Sequence, residues 1–262
     1  MKFETLLVEI VEGVAEVTIN RPDAANALNP LMSRELSDLA IELDTNPAVR
    51  AVLITGAGPM FCAGGDLKGM ADEENISATL LHMAGDLHMG LSRLARMSAP
   101  VIGAINGTAA GAGFSLALAM DLAIAADNAV FTMAYTRAGL SPDGSSTYFA
   151  PRRLGDRRAR ELMLTNRVLN ATEALEWGVV NQVVAADELM TEARKLARQL
   201  ASGPTQAFGA VKTLLNQSYD NGLEAQLELE SRSIAKLGSG EDGQEGIAAF
   251  VAKRKPEFKG RS

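Results

Sequence analysis

Residues 5 to 20, TLLVEIVEGVAEVTIN, hold two short apolar-rich runs on either side of Glu12-Gly13, the second alternating through Val14, Glu16 and Thr18. That pattern predicts two strands around a turn. Leu31, Met32, Leu36, Leu39, Ala40 and Leu43 then recur at helical spacing, with Asn29 placed as a cap before Pro30. RAVLITG (50 to 56), PVIGAING (100 to 107) and DLAIAAD (121 to 127) are short apolar runs, the first two bounded by Gly or Pro, and read as buried strands. The stretch from Ile76 to Met97 is helical in pattern. Strands alternating with helices predict an α/β architecture.

From Asp156 onward the pattern is almost wholly helical, through RRARELMLTN, TEALEWG, DELMTEARKLARQLA, TQAFGAVKTLLNQSY, LEAQLELESRSIAKL and GQEGIAAFVAKRK. VVNQVV (179 to 184) interrupts it as an expected strand. The SGPT stretch beginning at Ser202 predicts a boundary near residue 200, dividing a core domain (1–200) from a helical region (201–262). No internal repeat is evident in the sequence.

Composition narrows the class of protein. Over 262 residues, 47% are apolar and 22% charged, the balance of an ordinary globular chain with a sizeable core. A net charge of -7 argues against a surface that coats nucleic acid, which needs a prominent excess of Lys and Arg. One cysteine, Cys62, allows no internal disulfide, and two histidines without a Cys/His cluster offer no zinc site, so no metal is expected. The opening MKFETLLVEIVEG carries acidic residues where a signal peptide needs an apolar core, and no apolar run reaches spanning length. The expectation is a cytoplasmic protein that does not engage a membrane.

Three stretches can carry chemistry. In GAGPMFCAGGDLKGM (56 to 70), Gly64 and Gly65 precede a helix expected to open near Asp66. Backbone without Cβ approaches a ligand closely, and free N–H groups at a helix start point at an incoming oxygen. A plain strand-to-helix loop with Asp66 as its cap explains the same residues. In INGTAAGAGFSLALAMD (105 to 121), the first-turn amides around Ala112 are placed to donate to an oxyanion, while close helix packing is the plainer account of the small residues. Gly107, Gly111 and Gly113 do not have dinucleotide-fingerprint spacing, and no P-loop is present. The third stretch, SPDGSST, sets Asp143 between Pro142 and Gly144, with no evident ionic partner before Arg152. Pro-Asp-Gly is also ordinary turn chemistry.

Taken together, FCAGGDL, IGAINGTAAGAGFSLALAMDLAIAAD, INRPDAANALN and GIAAFVAKRKPEFKG resemble the crotonase (enoyl-CoA hydratase/isomerase) superfamily, in order along nearly the whole chain. The resemblance implies a ββα spiral core with a C-terminal helical trimerisation region, hence a homotrimer or dimer of trimers. It implies an acyl-CoA thioester as substrate and no cofactor beyond its CoA moiety. It carries the two donors to the thioester carbonyl onto Gly65 and Ala112, and CoA-neighbouring positions onto Ala24, Ala25, Ala63, Asp66 and Leu67. Phe250 and Lys253 match positions that reach CoA from the tail or an adjacent subunit.

The departures from the family pattern bear on the reaction. Family hydratases use two glutamates, and the matching positions here are Ser115 and Tyr135, neither of which does a carboxylate's work at neutral pH. Asp143 matches the place where enoyl-CoA isomerases carry a Glu and epoxyphenylacetyl-CoA isomerase an Asp. One carboxylate suffices for a 1,3-proton shift, so an isomerase is the leading expectation. A hydratase recruiting a different acid stays open, as does a hydrolytic aryl-CoA dehalogenase, which pairs an Asp at position 143 with a His at position 88. That enzyme carries a Trp where this chain has Tyr135, which weakens the match. A non-catalytic CoA- or RNA-binding member is the alternative from another class. His88 on an amphipathic helix is equally a packed residue, His82 on the same helix receives no role, and Cys62 lacks a basic neighbour that would activate it.

Overall fold

The computed structural model describes residues 2–71 and 73–260. β1 (Leu6–Val11) and β2 (Val14–Ile19) form the expected antiparallel hairpin, with Glu12 and Gly13 both at positive φ in its turn. A short 3-10 turn at Pro22–Ala24 leads to α1 (Pro30–Thr45), capped by the Asn29 side chain, which accepts the Met32 N–H at 2.9 Å. There follow β3 (Ala51–Gly56), β4 (Met60–Cys62), α2 (Leu67–Met70), α3 (Ile76–Arg96), β5 (Val101–Ile105), β6 (Thr108–Ala110) and α4 (Ala112–Ala119). Next come β7 (Leu122–Ala126), β8 (Val130–Thr132), α5 (Ser146–Leu154), α6 (Asp156–Thr165), β9 (Leu169–Asn170), α7 (Ala171–Trp177) and β10 (Gln182–Val184). Four helices close the chain: α8 (Leu189–Ala201), α9 (Thr205–Gln217), α10 (Leu223–Ser239) and α11 (Glu241–Val251).

The strands form two sheets, one ordered β1-β2-β3-β5-β7-β10 and a smaller one ordered β4-β6-β8-β9. From β2 to β10 the large sheet is parallel. A parallel sheet covered on both faces needs apolar side chains on both, which is why β3 and β5 read as continuous apolar runs. Ala51 and Leu53 face a stripe of Leu189, Ala193, Ala197 and Ala201 on α8. Val52 and Ile54 point the other way, into the core shared with α1, α3 and α4.

Three times the chain passes from a large-sheet strand to a three-residue small-sheet strand and then to helix, at β3-β4, β5-β6 and β7-β8. This is the ββα spiral that the resemblance implied, although no repeat is evident in the sequence. Strands of three residues are too short to show a period, and their pairing across the spiral makes them strands. β4, β6, β8 and β9 were accordingly not among the expected elements.

Two expected boundaries differ. Only Gln182–Val184 of the 179 to 184 run is strand. Asn181 accepts the Ala123 N–H through its side chain and donates its own N–H to Ala123 O, both at 2.8 Å, so Val179 and Val180 are buried in a turn instead. The last helix stops at Val251 rather than running to Lys255, because Lys253 takes a left-handed conformation.

Past α8 the chain leaves the sheet core: α9 packs on α3, α10 on α9 and α11 on α10. Lys212 fixes α9 in place, its ammonium donating to Leu94 O at 2.9 Å and Ala99 O at 3.2 Å and lying 2.7 Å from Asp121 Oδ2. No helix among the described residues is long and apolar enough to cross a membrane.

Candidate active site

The two Gly-rich turns meet at the C-terminal ends of β4 and β6. Gly113 opens α4 directly against β4, where a Cβ would lie 2.2 Å from Cys62 O. Gly64, at φ +96°, has no room for one either, since it would meet Ala110 O at 2.9 Å and Ala112 N at 3.3 Å. These contacts bring the Gly64-Gly65 turn beside the start of α4. The loop from Ala24 is stitched to the same turn: Ala63 N–H donates to Ala25 O, Leu28 N–H to Gly64 O, and Asp66 N–H to Leu28 O. Among the described residues no acceptor takes the N–H of Gly65 or of Ala112. The second is an orphan by helix geometry, being the first residue of α4.

Both amides border a cavity of about 410 Å³. Its walls are mostly apolar, from Leu28, Met70, Leu80, Met83, Leu87 and Leu140 among others, with Ala63 and Leu67 beside the glycine turn. Asp143 supplies the one carboxylate that lines it among the described residues.

The turn that carries Asp143 is held from three sides. Gly144, at φ +59°, approaches Ser115 so closely that a Cβ would lie 2.9 Å from the Ser115 Cβ. Asp143 O accepts from the Ser146 N–H at 3.2 Å and the Ser146 hydroxyl at 2.8 Å, which seats the start of α5. The plain turn chemistry of Pro-Asp-Gly is therefore present in the backbone, while the side chain does something else. Asp143 Oδ1 accepts a hydrogen bond from the Tyr135 hydroxyl at 2.7 Å, and that hydroxyl contacts Ser115 Oγ at 2.9 Å. Burial first, and then the negative charge of Asp143, push the Tyr135 hydroxyl far above the ordinary phenol range, so it stays a donor. Oδ1 is occupied, which leaves Oδ2 as the free oxygen of Asp143. Arg152, by contrast, stacks on the rings of Tyr148 and Tyr219 and makes no contact with Asp143.

His88 Nε2 accepts the Gly144 N–H at 3.1 Å and lies 3.9 Å from Asp143 Oδ2. Accepting through Nε2 places the proton of a neutral imidazole on Nδ1. His88 thus stands beside Asp143, while His82 is exposed on the same helix. Cys62 is fully buried, and burial pushes its thiol up to about 12, partly offset by a bond from the Gly64 N–H. It is a packed residue.

The other expected ligand positions divide. Asp66 caps α2, accepting the Gly69 N–H at 3.1 Å and pairing with Arg21 at 3.0 Å. The Gly69 bond chiefly, with Arg21 adding to it, holds its carboxyl below the usual range against the opposing effect of burial. Ala25 and Asp66 adjoin the glycine turn, Ala24 bonds only within its own loop, and none of the three lines the cavity. Phe250 and Lys253, on and just after α11, are exposed and do not line the cavity, so a single chain does not bring them to the site. Sequence reasoning missed the grip of Tyr135 on Asp143 and the bond between His88 and Gly144. It also passed over Arg21, although Arg21 lies in the quoted INRPDAANALN.

Fold and site together are those of an α/β protein built to enclose an apolar group beside two free amides and one carboxylate. The sequence profile of the enoyl-CoA hydratase/isomerase family matches residues 9–261. A 1,2-epoxyphenylacetyl-CoA isomerase of Escherichia coli (strain K12) is 40% identical, over 98% of this chain and 99% of its own. A carnitinyl-CoA dehydratase of Proteus mirabilis (strain HI4320) is also 40% identical, over 95% of this chain and 96% of its own. The crystal structure of an enoyl-CoA hydratase from Polaromonas sp. JS666 superposes with a TM-score of 0.90 at 35% identity, covering 97% of this chain and 99% of that one. The chain belongs to the enoyl-CoA hydratase/isomerase family of the crotonase superfamily.

Proposed function

We propose that the protein is an acyl-CoA isomerase that shifts a double bond by proton transfer through an enolate, on substrates of the enoyl-CoA or epoxyphenylacetyl-CoA type. The observation that carries this reading is the position of Asp143. It is the single carboxylate lining, among the described residues, of a cavity that also presents the unpaired Gly65 and Ala112 N–H groups. The thioester carbonyl accepts from those two amides, each worth roughly 3 kcal/mol once negative charge develops on the oxygen. Asp143 Oδ2 takes a proton from the carbon that bears it, the electron pair delocalises into the dienolate, and the same carboxyl returns a proton at the other end. Tyr135 acts as a positioning residue, since its hydroxyl holds Oδ1 and presents Oδ2. The reaction needs no group beyond these and the CoA of the substrate.

A hydratase would have to activate a water as well as deliver a proton. Ser115 and Tyr135, at the positions of the family's two glutamates, hydrogen-bond to one another instead. A specific observation favours the hydrolytic aryl-CoA dehalogenase as second reading: His88 Nε2 is 3.9 Å from Asp143 Oδ2. An assembly of three copies, or two sets of three, belongs to the same proposal. It is supported by exposed Leu215, Tyr219, Leu227, Ile234, Ile247 and Phe250 on the C-terminal helices and the turn after α9.

The test assays β,γ-enoyl-CoA, α,β-enoyl-CoA and chlorobenzoyl-CoA with wild type and Asp143→Asn. Isomerisation leads in wild type and falls by at least about 100-fold in the variant. Full isomerase activity in Asp143→Asn, or hydration far outpacing isomerisation in wild type, sinks the reading.

A further inference from the structure

Asp143 borders two cavities. Beyond the carboxylate, on the side away from Gly65 and Ala112, lies a second cavity of about 490 Å³ between α3 and α5. On α3 its wall is formed by His88, Leu91, Ser92, Ala95 and Arg96. Ser145 and Thr147 face it from the Asp143 turn and α5, with Asn216 at its far end. Ser92 and Thr147 are exposed, so the cavity is open to solvent at its mouth. It is roomy and, although Leu91, Pro142 and Phe149 make part of its wall apolar, it presents hydroxyl, amide, imidazole and guanidinium groups that can hold water.

We propose that this second cavity is a water port that keeps Asp143 Oδ2 in proton exchange with solvent while the acyl group fills the first cavity. The proposal rests on the reading of Asp143 as the acid/base. A C–H bond of the substrate breaks, its proton forms an O–H bond on Oδ2, and the electron pair passes to the dienolate. A water in the port then exchanges that proton for one of its own, and the exchanged proton forms the new C–H bond. No net oxidation or reduction occurs and no co-reactant but water is used. Two geometric facts make the second side the route. Oδ1 is closed off by Tyr135, and an apolar acyl group in the first cavity excludes water from that side. Exchange on Oδ2 competes with return of the original proton to the dienolate, so an open port shows itself as solvent label in the product.

The experiment follows isomerisation of β,γ-hexenoyl-CoA in D2O and reads deuterium in the product by mass spectrometry. Wild type is compared with Ser92→Phe, Thr147→Phe and the double variant, whose rings fill the mouth from opposite walls at exposed positions. Wild-type product carries solvent deuterium in most molecules. The double variant loses most of that label with kcat unchanged, because the original proton is then returned directly. Unlabelled product from wild type overturns the proposal, as does a double variant that turns over and labels like wild type. A double variant that keeps the label but rejects long acyl chains also overturns it, assigning the cavity to the acyl tail. Full activity of Asp143→Asn is a different failure, that of the isomerase reading itself.

Discussion

Tyr135 and Ser115 illustrate how a residue can be excluded from one role and gain another. Neither is an acid, and the two together form a hydroxyl pair that ends on Asp143 Oδ1. A hydrogen bond to a charged acceptor contributes about 1.5–3 kcal/mol, so Tyr135→Phe is expected to lower kcat by roughly 10- to 100-fold with little change in KM. Steady-state assays on β,γ-enoyl-CoA check this. Ser115→Ala leaves the Tyr135–Asp143 bond in place and should cost about 1 kcal/mol or less. Asp143 and the two amides were singled out in the sequence because glycine-rich turns and the family resemblance pointed to them together, whereas Pro-Asp-Gly alone reads as ordinary turn chemistry. The hold of Tyr135 was not, since it lies eight positions before Asp143, at the start of a 3-10 turn (Tyr135–Ala138), and only the fold turns the phenol back.

At the scale of elements, the site depends on α4 starting hard against β4. Gly113→Ala places a methyl 2.2 Å from backbone that cannot yield, and should destabilise by about 3 kcal/mol or more, read as a lower denaturant midpoint. Gly85, in the middle of α3, is the control: nothing lies within 4 Å of an added Cβ. Gly85→Ala should therefore stabilise by about 0.5–1 kcal/mol. All six large-sheet strands were readable, β10 with wider bounds than it has, and so was every helix but α5, whose start is set by the Asp143 turn; most are runs of five or more residues that express their period. Three-residue strands such as β4 and β6 were not, since three residues carry no period and their identity comes from partners across the spiral.

For the whole molecule, the question is how the C-terminal helices and tail are held to the sheet core. Lys212 is nearly buried between two carbonyls and Asp121. Lys212→Met leaves Asp121 without its cation and should cost about 3–5 kcal/mol, while Lys212→Met with Asp121→Asn recovers part of that loss in chemical denaturation. The tail folds back through Arg254, which grips both oxygens of Glu245 at 2.6 and 2.7 Å, and through Asp242, which accepts the N–H groups of Lys259 and Gly260. Arg254, followed by the Glu257 N–H, holds the Glu245 carboxyl down at about 2. A carboxyl lower in the folded state than its ordinary 4.5 contributes stability that is complete above that value and is lost as pH falls through about 2. Hydrogen exchange of residues 254–260 should rise over that window, and Glu245→Gln should remove the dependence.

The sequence by itself determined the α/β class, the family and three pieces of the site, the Gly65 turn, the α4 start and the Asp143 turn. These are local features, written in short runs of glycine, proline and alternating apolar residues. The tertiary structure alone decided which oxygen of Asp143 is free, that His88 binds Gly144, that Phe250 and Lys253 stand apart from the site in a single chain, and that one carboxylate borders two cavities. Each of these is a relation between segments distant in the chain. Local pattern records what a segment prefers, and only close packing of the spiral settles what that segment meets.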